Sequence, residues 1–140
     1  KYRDDLIFMI LEAKNALGRV PGLNEDLLDI QKNYTDKGGM FWLAIDEHDR
    51  VIGSVGVSIM ENEIECYIHR LFIKYNQKHK GIGTELLSTA EAYAIKKGKI
   101  ATIVHLGKSK EQWFEAWAFY PKHGYVEIED NIMRKELKKL

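Results

Sequence analysis

At Gly38-Gly39 the hydrophobic period of this chain switches from helical to alternating, and that switch limits the folds open to it. Before the switch, Leu6, Ile10, Ala13 and Leu17 recur at helical spacing, with Asp4 or Asp5 placed to cap the start and Gly18 to end it. A second short helix is predicted from Asn24 to about Tyr34, with Glu25 and Asp26 in its first turn and Leu27, Ile30 and Tyr34 as one stripe. After the switch, Met40 to Ile45 reads as a strand and Asp46 to Arg50 as a polar hairpin turn. Val51 to Met60 is the partner strand, with Val51, Val55, Val57 and Ile59 on one face and Ser54 and Ser58 on the other. Beyond the turn Glu61-Asn62-Glu63, Ile64 to Lys74 places Ile64, Cys66, Ile68 and Phe72 on one face and Glu65, Tyr67 and His69 on the other.

A strong helix then starts at Ile82, with Leu86, Ala90, Tyr93 and Ala94 on its core side and Lys97-Gly98 at its end. Lys99 to Leu106 reads as a buried strand, and Glu111 to Tyr120 as an aromatic-rich helix stopped by Pro121. Tyr125 to Ile128 and Ile132 to Glu136 form a last pair of strands. With no repeat or linker, the expectation is one domain over residues 1–140. Its class is α/β (equally α+β), a sandwich around a mixed sheet in the order α-α-β-β-β-α-β-α-β-β. Lys plus Arg and Asp plus Glu balance at 21 each, which argues against general nucleic-acid binding. The longest apolar run, Met40 to Ile45, is too short to cross a bilayer. No signal peptide is expected at Lys1 to Asp5, and the lone Cys66 fits a reducing compartment, so a cytoplasmic location is expected.

The segment Lys78-His79-Lys80-Gly81-Ile82-Gly83-Thr84 joins a strand to that strong helix. A helix start leaves its first N–H groups unpaired and carries the positive end of the macrodipole. Two glycines let backbone approach an anion closely, and the flanking basic side chains add charge; pyrophosphate is the natural guest, and a plain tight turn is the alternative. A dinucleotide fingerprint needs a third glycine where Leu86 stands, and a triphosphate loop needs a Gly-Lys-Ser/Thr that is missing.

Two motifs carry a resemblance. Leu71-Phe72-Ile73, the basic loop Lys78 to Gly83 and Thr84-Glu85-Leu86-Leu87 form the first; Ala116-Trp117-Ala118-Phe119-Tyr120-Pro121-Lys122-His123-Gly124-Tyr125 forms the second. In this order and at this separation they resemble the GNAT superfamily of acyl-CoA-dependent N-acetyltransferases over about residues 40 to 137. Lys78 replaces the family's usual Gln or Arg, Trp113 its common Asn, and Tyr125 the Phe of Gly-Phe. The family's first strand, ahead of the first helix, is expected to be truncated or abbreviated.

The resemblance implies a mostly antiparallel mixed sheet flanked by helices. It implies acetyl-CoA as co-substrate, its pyrophosphate gripped by the loop residues Lys78, His79, Lys80, Gly81, Ile82, Gly83 and Thr84. The pantetheine arm would lie between two splayed parallel strands, against main chain at Leu71, Phe72 and Ile73, with an oxyanion donor near Ile73. No metal is implied. Tyr120 matches the tyrosine that protonates the departing thiolate. By register the family's frequent Glu falls on Tyr67, which is no base at neutral pH, so Glu65, His69 or a water relay is left to take the amine proton. Trp113, Phe114, Trp117 and Phe119 are expected mostly in the core, with Trp113 or Trp117 the alternative wall of an acceptor pocket. The expected reaction is acetyl transfer to a primary amine, on a small molecule or a peptide, with early helices and the Arg19 to Gly22 loop recognising the acceptor. Neither nucleic acid nor membrane is an expected partner, and the family's habit allows a homodimer through a strand edge. The alternatives are a non-catalytic acyl-CoA sensor on the same scaffold and an interaction module whose loop binds nothing.

Overall fold

A computed structural model describes residues 2–16, 30, 34–60, 63–74, 77, 80–106 and 114–137. Helix α1 (Arg3–Ala16) precedes a short 3-10 turn at Thr35–Lys37. Strands β1 (Met40–Ile45), β2 (Val51–Ile59) and β3 (Glu65–Ile73) follow as hairpins. Then come α2 (Ile82–Lys96), β4 (Ala101–His105), α3 (Phe114–Lys122), β5 (Val126–Glu129) and β6 (Ile132–Glu136). The six strands form one sheet in the order β1-β2-β3-β4-β6-β5, antiparallel throughout except for the parallel pair β3–β4. The parallel pair arises because α2 carries the chain back across the sheet. The expected mixed, mostly antiparallel sheet is therefore what the chain forms. The helix expected from Asn24 to Tyr34 falls largely outside the described residues, as does Gly18.

Two apolar clusters sit on opposite faces. On one, Val55, Val57, Cys66, Ile68, Val104 and Met133 pack against Leu86, Leu87, Ala90 and Ala94 of α2 and Tyr120 of α3. Burying a side chain such as Leu87, 1% exposed, contributes about 1.5–3 kcal/mol. Gly53 lets α2 lie close, since a Cβ there would meet Leu86 at 2.9 Å. On the other face, Leu6, Met9 and Ile10 of α1 cover Val51, with Phe41, Leu43 and Phe72 alongside.

Four sequence expectations are corrected. Phe72 does not share a face with Cys66 and Ile68: it packs under α1, while Leu71 and Ile73 turn to the α2 side. The cause is a β-bulge, in which Ser54 pairs with Phe72 and Gly56 with His69, so that Val55 alone opposes Arg70 and Leu71. Arg70 takes φ 55°, and the fully buried Ser54 hydroxyl donates to its carbonyl at 2.7 Å. Val51 likewise leaves the face of Val55 for the α1 cluster, next to the register shift at Ala44/Ile45. Pro121 does not stop α3 but lies inside its last turn; Gly124, at φ 92°, reverses the chain. Asp5 is no cap either, because α1 already begins at Arg3: its carboxylate accepts from Val51 N at 2.6 Å and from the Arg50 guanidinium.

Candidate active site

The parallel ladder between β3 and β4 ends at Ile68–Val104, yet β3 runs on to Ile73 and β4 to His105. The strands therefore part, and the bulge at Arg70 lies where they do. Lys74 N donates to Ile52 O across β2 at 2.8 Å. Successive N–H groups of an extended strand point to opposite edges, so the Ile73 N–H faces the gap instead of β2. Ile73 thus offers main chain to whatever lies there, as it would to an extra strand.

Past the end of β3, Gly81 caps α2 with φ 81° and no side-chain cap bond. Among the described residues a Cβ at Gly81 would meet nothing within 4 Å, so they leave the approach to the helix start open. The first intrahelical bond is Glu85 N to Gly81 O at 3.1 Å, which leaves the N–H groups of Ile82, Gly83 and Thr84 without helical acceptors. Exposed Lys80 stands beside them, its ammonium donating to Gln77 Oε1 at 3.0 Å. Lys78 and His79 lie outside the described residues. The loop is tied to α3: Phe119 lies 3.4 Å from the place of a Gly83 Cβ, and the Thr84 hydroxyl is 3.4 Å from His123 Nε2. These features fit a diphosphate, with a dipole end, open glycine backbone and a cation on one rim.

Tyr120 is 5% exposed in the α2-side cluster, its ring edge-on to Phe119 and Tyr125 at 5.3 and 5.2 Å. Burial pushes its hydroxyl pKa well above the ordinary tyrosine value, and no hydrogen bond to that hydroxyl forms among the described residues. Behind it, the Tyr125 hydroxyl donates to Glu91 at 2.9 Å and lies 2.6 Å from Thr102 Oγ1, while Lys135 pairs with Glu91 at 3.0 Å.

The other predicted catalytic residues project from the opposite sheet face. Glu65 is held by Arg134, whose Nε lies 2.5 Å from its carboxylate and whose other arm reaches Glu136. His69 sits between the rings of Tyr34 and Tyr67, at 6.3 and 6.4 Å. Tyr67, hydrogen-bonded to Glu63, has its pKa raised by desolvation and then by Glu63. Glu65 and His69 share this face, whereas Tyr120 belongs to the α2 side. Sequence reading missed His105, whose ring lies 5.7 Å from that of Tyr67. Its signal was there: a histidine at the open end of the strand pairing with β3. Trp113 and the Arg19 to Gly22 loop lie outside the described residues. An open cleft of about 430 Å³ between α1 and the β1–β2 turn, lined by Tyr2, Asp4, Asp5, Phe8, Asp49 and Arg50, contains none of the predicted site residues. Among the described residues no helix is long and apolar enough to cross a membrane.

Solved structures share this fold. A GNAT-family acetyltransferase from Staphylococcus aureus Mu50 is similar at 24% identity and a TM-score of 0.86, over 98% of this chain and 94% of that one. The PaiA N-acetyltransferase of Thermoplasma acidophilum, solved with coenzyme A, is similar at 22% identity and TM-score 0.70, covering 96% and 92%. An aminoglycoside 6'-N-acetyltransferase complexed with coenzyme A gives 17% identity and TM-score 0.70, over 96% and 89%. No curated protein sequence matches the chain significantly. The acetyltransferase (GNAT) family model, however, matches residues 8–125. With that match spanning the splayed strands, the glycine loop and α3, the chain belongs to the GNAT family of acetyltransferases, which carry out acyl-CoA-dependent acetyl transfer.

Proposed function

We propose that this protein is a cytoplasmic, single-domain N-acetyltransferase that moves the acetyl group of acetyl-CoA directly to a primary amine. The observation that carries this reading is the gap itself: β3 and β4 stop pairing at Ile68–Val104 and continue apart. The loop from Lys78 to Thr84 would hold the diphosphate, with Leu71, Phe72 and Ile73 along the pantetheine arm. The Ile73 N–H would donate to the oxyanion. Tyr120 would give its proton to the thiolate; a raised pKa keeps that proton in place until a strong base forms beside it. Of the two predicted bases, Glu65 is disfavoured, because Arg134 already neutralises its carboxylate. The acceptor is an amine of a small molecule or a peptide; the aminoglycoside enzyme among the structural neighbours supports an amine without fixing which.

Acetyl-CoA at about a hundred times its Kd should stabilise the protein by about 2.7 kcal/mol. Gly81→Asp, which sets a carboxylate where the diphosphate would sit, should abolish that stabilisation while leaving the fold. An unchanged thermal shift in the variant removes the loop from the site. A second reading, the acyl-CoA sensor, draws on the burial of Tyr120. Release of coenzyme A thiol with spermine, kanamycin, lysine or a peptide with a free N-terminus decides for the enzyme, and a thermal shift without turnover decides for the sensor.

A further inference from the structure

We propose that His105 is the proton acceptor for the incoming amine, on the sheet face opposite Tyr120. The inference rests on the acetyltransferase reading above and adds a residue to it.

Side chains alternate along β4. Thr102 is hydrogen-bonded to Tyr125, and Val104 lies in the α2-side cluster, so both point toward α2. His105 therefore projects from the other face, where its ring lies 5.7 Å from Tyr67 of β3. Tyr67 in turn neighbours His69. The last ladder pair is Ile68–Val104, so His69 and His105 are the next residue on each strand. They flank the point where the gap opens, and an acyl group lying in the gap would have one imidazole on either side.

The acid–base groups here are not equally free to exchange a proton. Arg134 holds Glu65. Tyr67 is bonded to Glu63, and its proton is harder to remove than in an ordinary tyrosine. His69 is wedged between the rings of Tyr34 and Tyr67. His105 is exposed, and no hydrogen bond to its ring nitrogens forms among the described residues. Imidazole is the side chain suited to taking and releasing protons near neutral pH. An exposed imidazole can also pass its proton to bulk water after each turnover.

The proton count closes. An ammonium nitrogen enters with three hydrogens and leaves as an amide with one. His105 takes the first proton and releases it to solvent. The nitrogen lone pair then forms the C–N bond to the acetyl carbon. As the C–S bond breaks, its electron pair goes to sulfur, which takes a proton from Tyr120. The second nitrogen proton makes good that loss.

The test measures thiol release from acetyl-CoA with spermine, kanamycin, lysine and a free-N-terminus peptide. His105→Gln keeps a polar side chain of similar size but cannot act as base; its kcat should fall on the order of 100-fold, with the acetyl-CoA thermal shift unchanged. His105→Ala should be similarly slow and should regain rate when imidazole is added. A His105→Gln enzyme within about threefold of wild type overturns the proposal, as does a slow His105→Ala enzyme indifferent to imidazole. Wild-type protein that binds acetyl-CoA but acetylates none of these amines overturns the enzyme reading, and His105 with it.

Discussion

The two faces of the sheet treat polar groups in opposite ways. On the α2 side, Thr102, Tyr125, Glu91 and Lys135 form a satisfied network behind Tyr120, and the tyrosines there are dry. On the α1 side and beyond it, Glu65, Tyr67, His69 and His105 are half-buried or exposed. Desolvation penalises the charged form of a group, so the dry face suits a proton donor that must hold its proton until called on. The wetter face suits a group that gains and loses one in every cycle. Acyl transfer to an amine needs one of each.

The sharpest way to break this contrast is at Tyr120. Tyr120→Phe keeps the packing and removes the donor; kcat should fall about 100-fold while KM for acetyl-CoA hardly moves. Equal kcat in the two proteins would leave the dry face without a chemical role. Next in size is Tyr125→Phe, which strands Glu91 and Thr102 without a shared partner in the interior. A loss of about 1–3 kcal/mol is expected in urea unfolding. A neutral result would mean that water reaches these groups and that this face is not dry.

The smallest effect is expected on the α1 side. The Arg50 guanidinium, and then the Val51 N–H, hold the Asp5 carboxyl below the usual aspartate range. A depressed folded-state pKa contributes stability above the unfolded value, near 3.8, that is lost as pH falls through the folded one. Asp5→Asn should therefore be less stable than wild type at neutral pH, and the two should converge in acid titrations below about pH 4. Parallel curves at all pH values would show that this contact is not coupled to folding.

Strand and helix positions were legible because each element has a clean period, and the glycine loop because two glycines and flanking basic residues stand directly before a strong helical period. The facing of Phe72 was not legible. Alternation counts residues, and a bulge adds one without any mark in a single sequence: Arg70 is an unexceptional residue in a left-handed conformation. The Arg134 partner of Glu65 was hidden for a different reason. Sixty-nine positions separate the two, and they meet only because β6 lies beside β4 and β4 beside β3. His105 escaped notice because no motif contains it. Its interest comes wholly from where the ladder ends.

The hydroxyl of Ser54, seated on the Arg70 carbonyl, protects a flaw in the sheet's regularity. Were Arg70 deleted, β3 could alternate evenly from Glu65 onward and be zipped to its neighbour over a longer stretch. Such a molecule would have a neater architecture and, under the proposed function, no slot for a thioester. Its usefulness depends on one residue too many, pinned there by a serine.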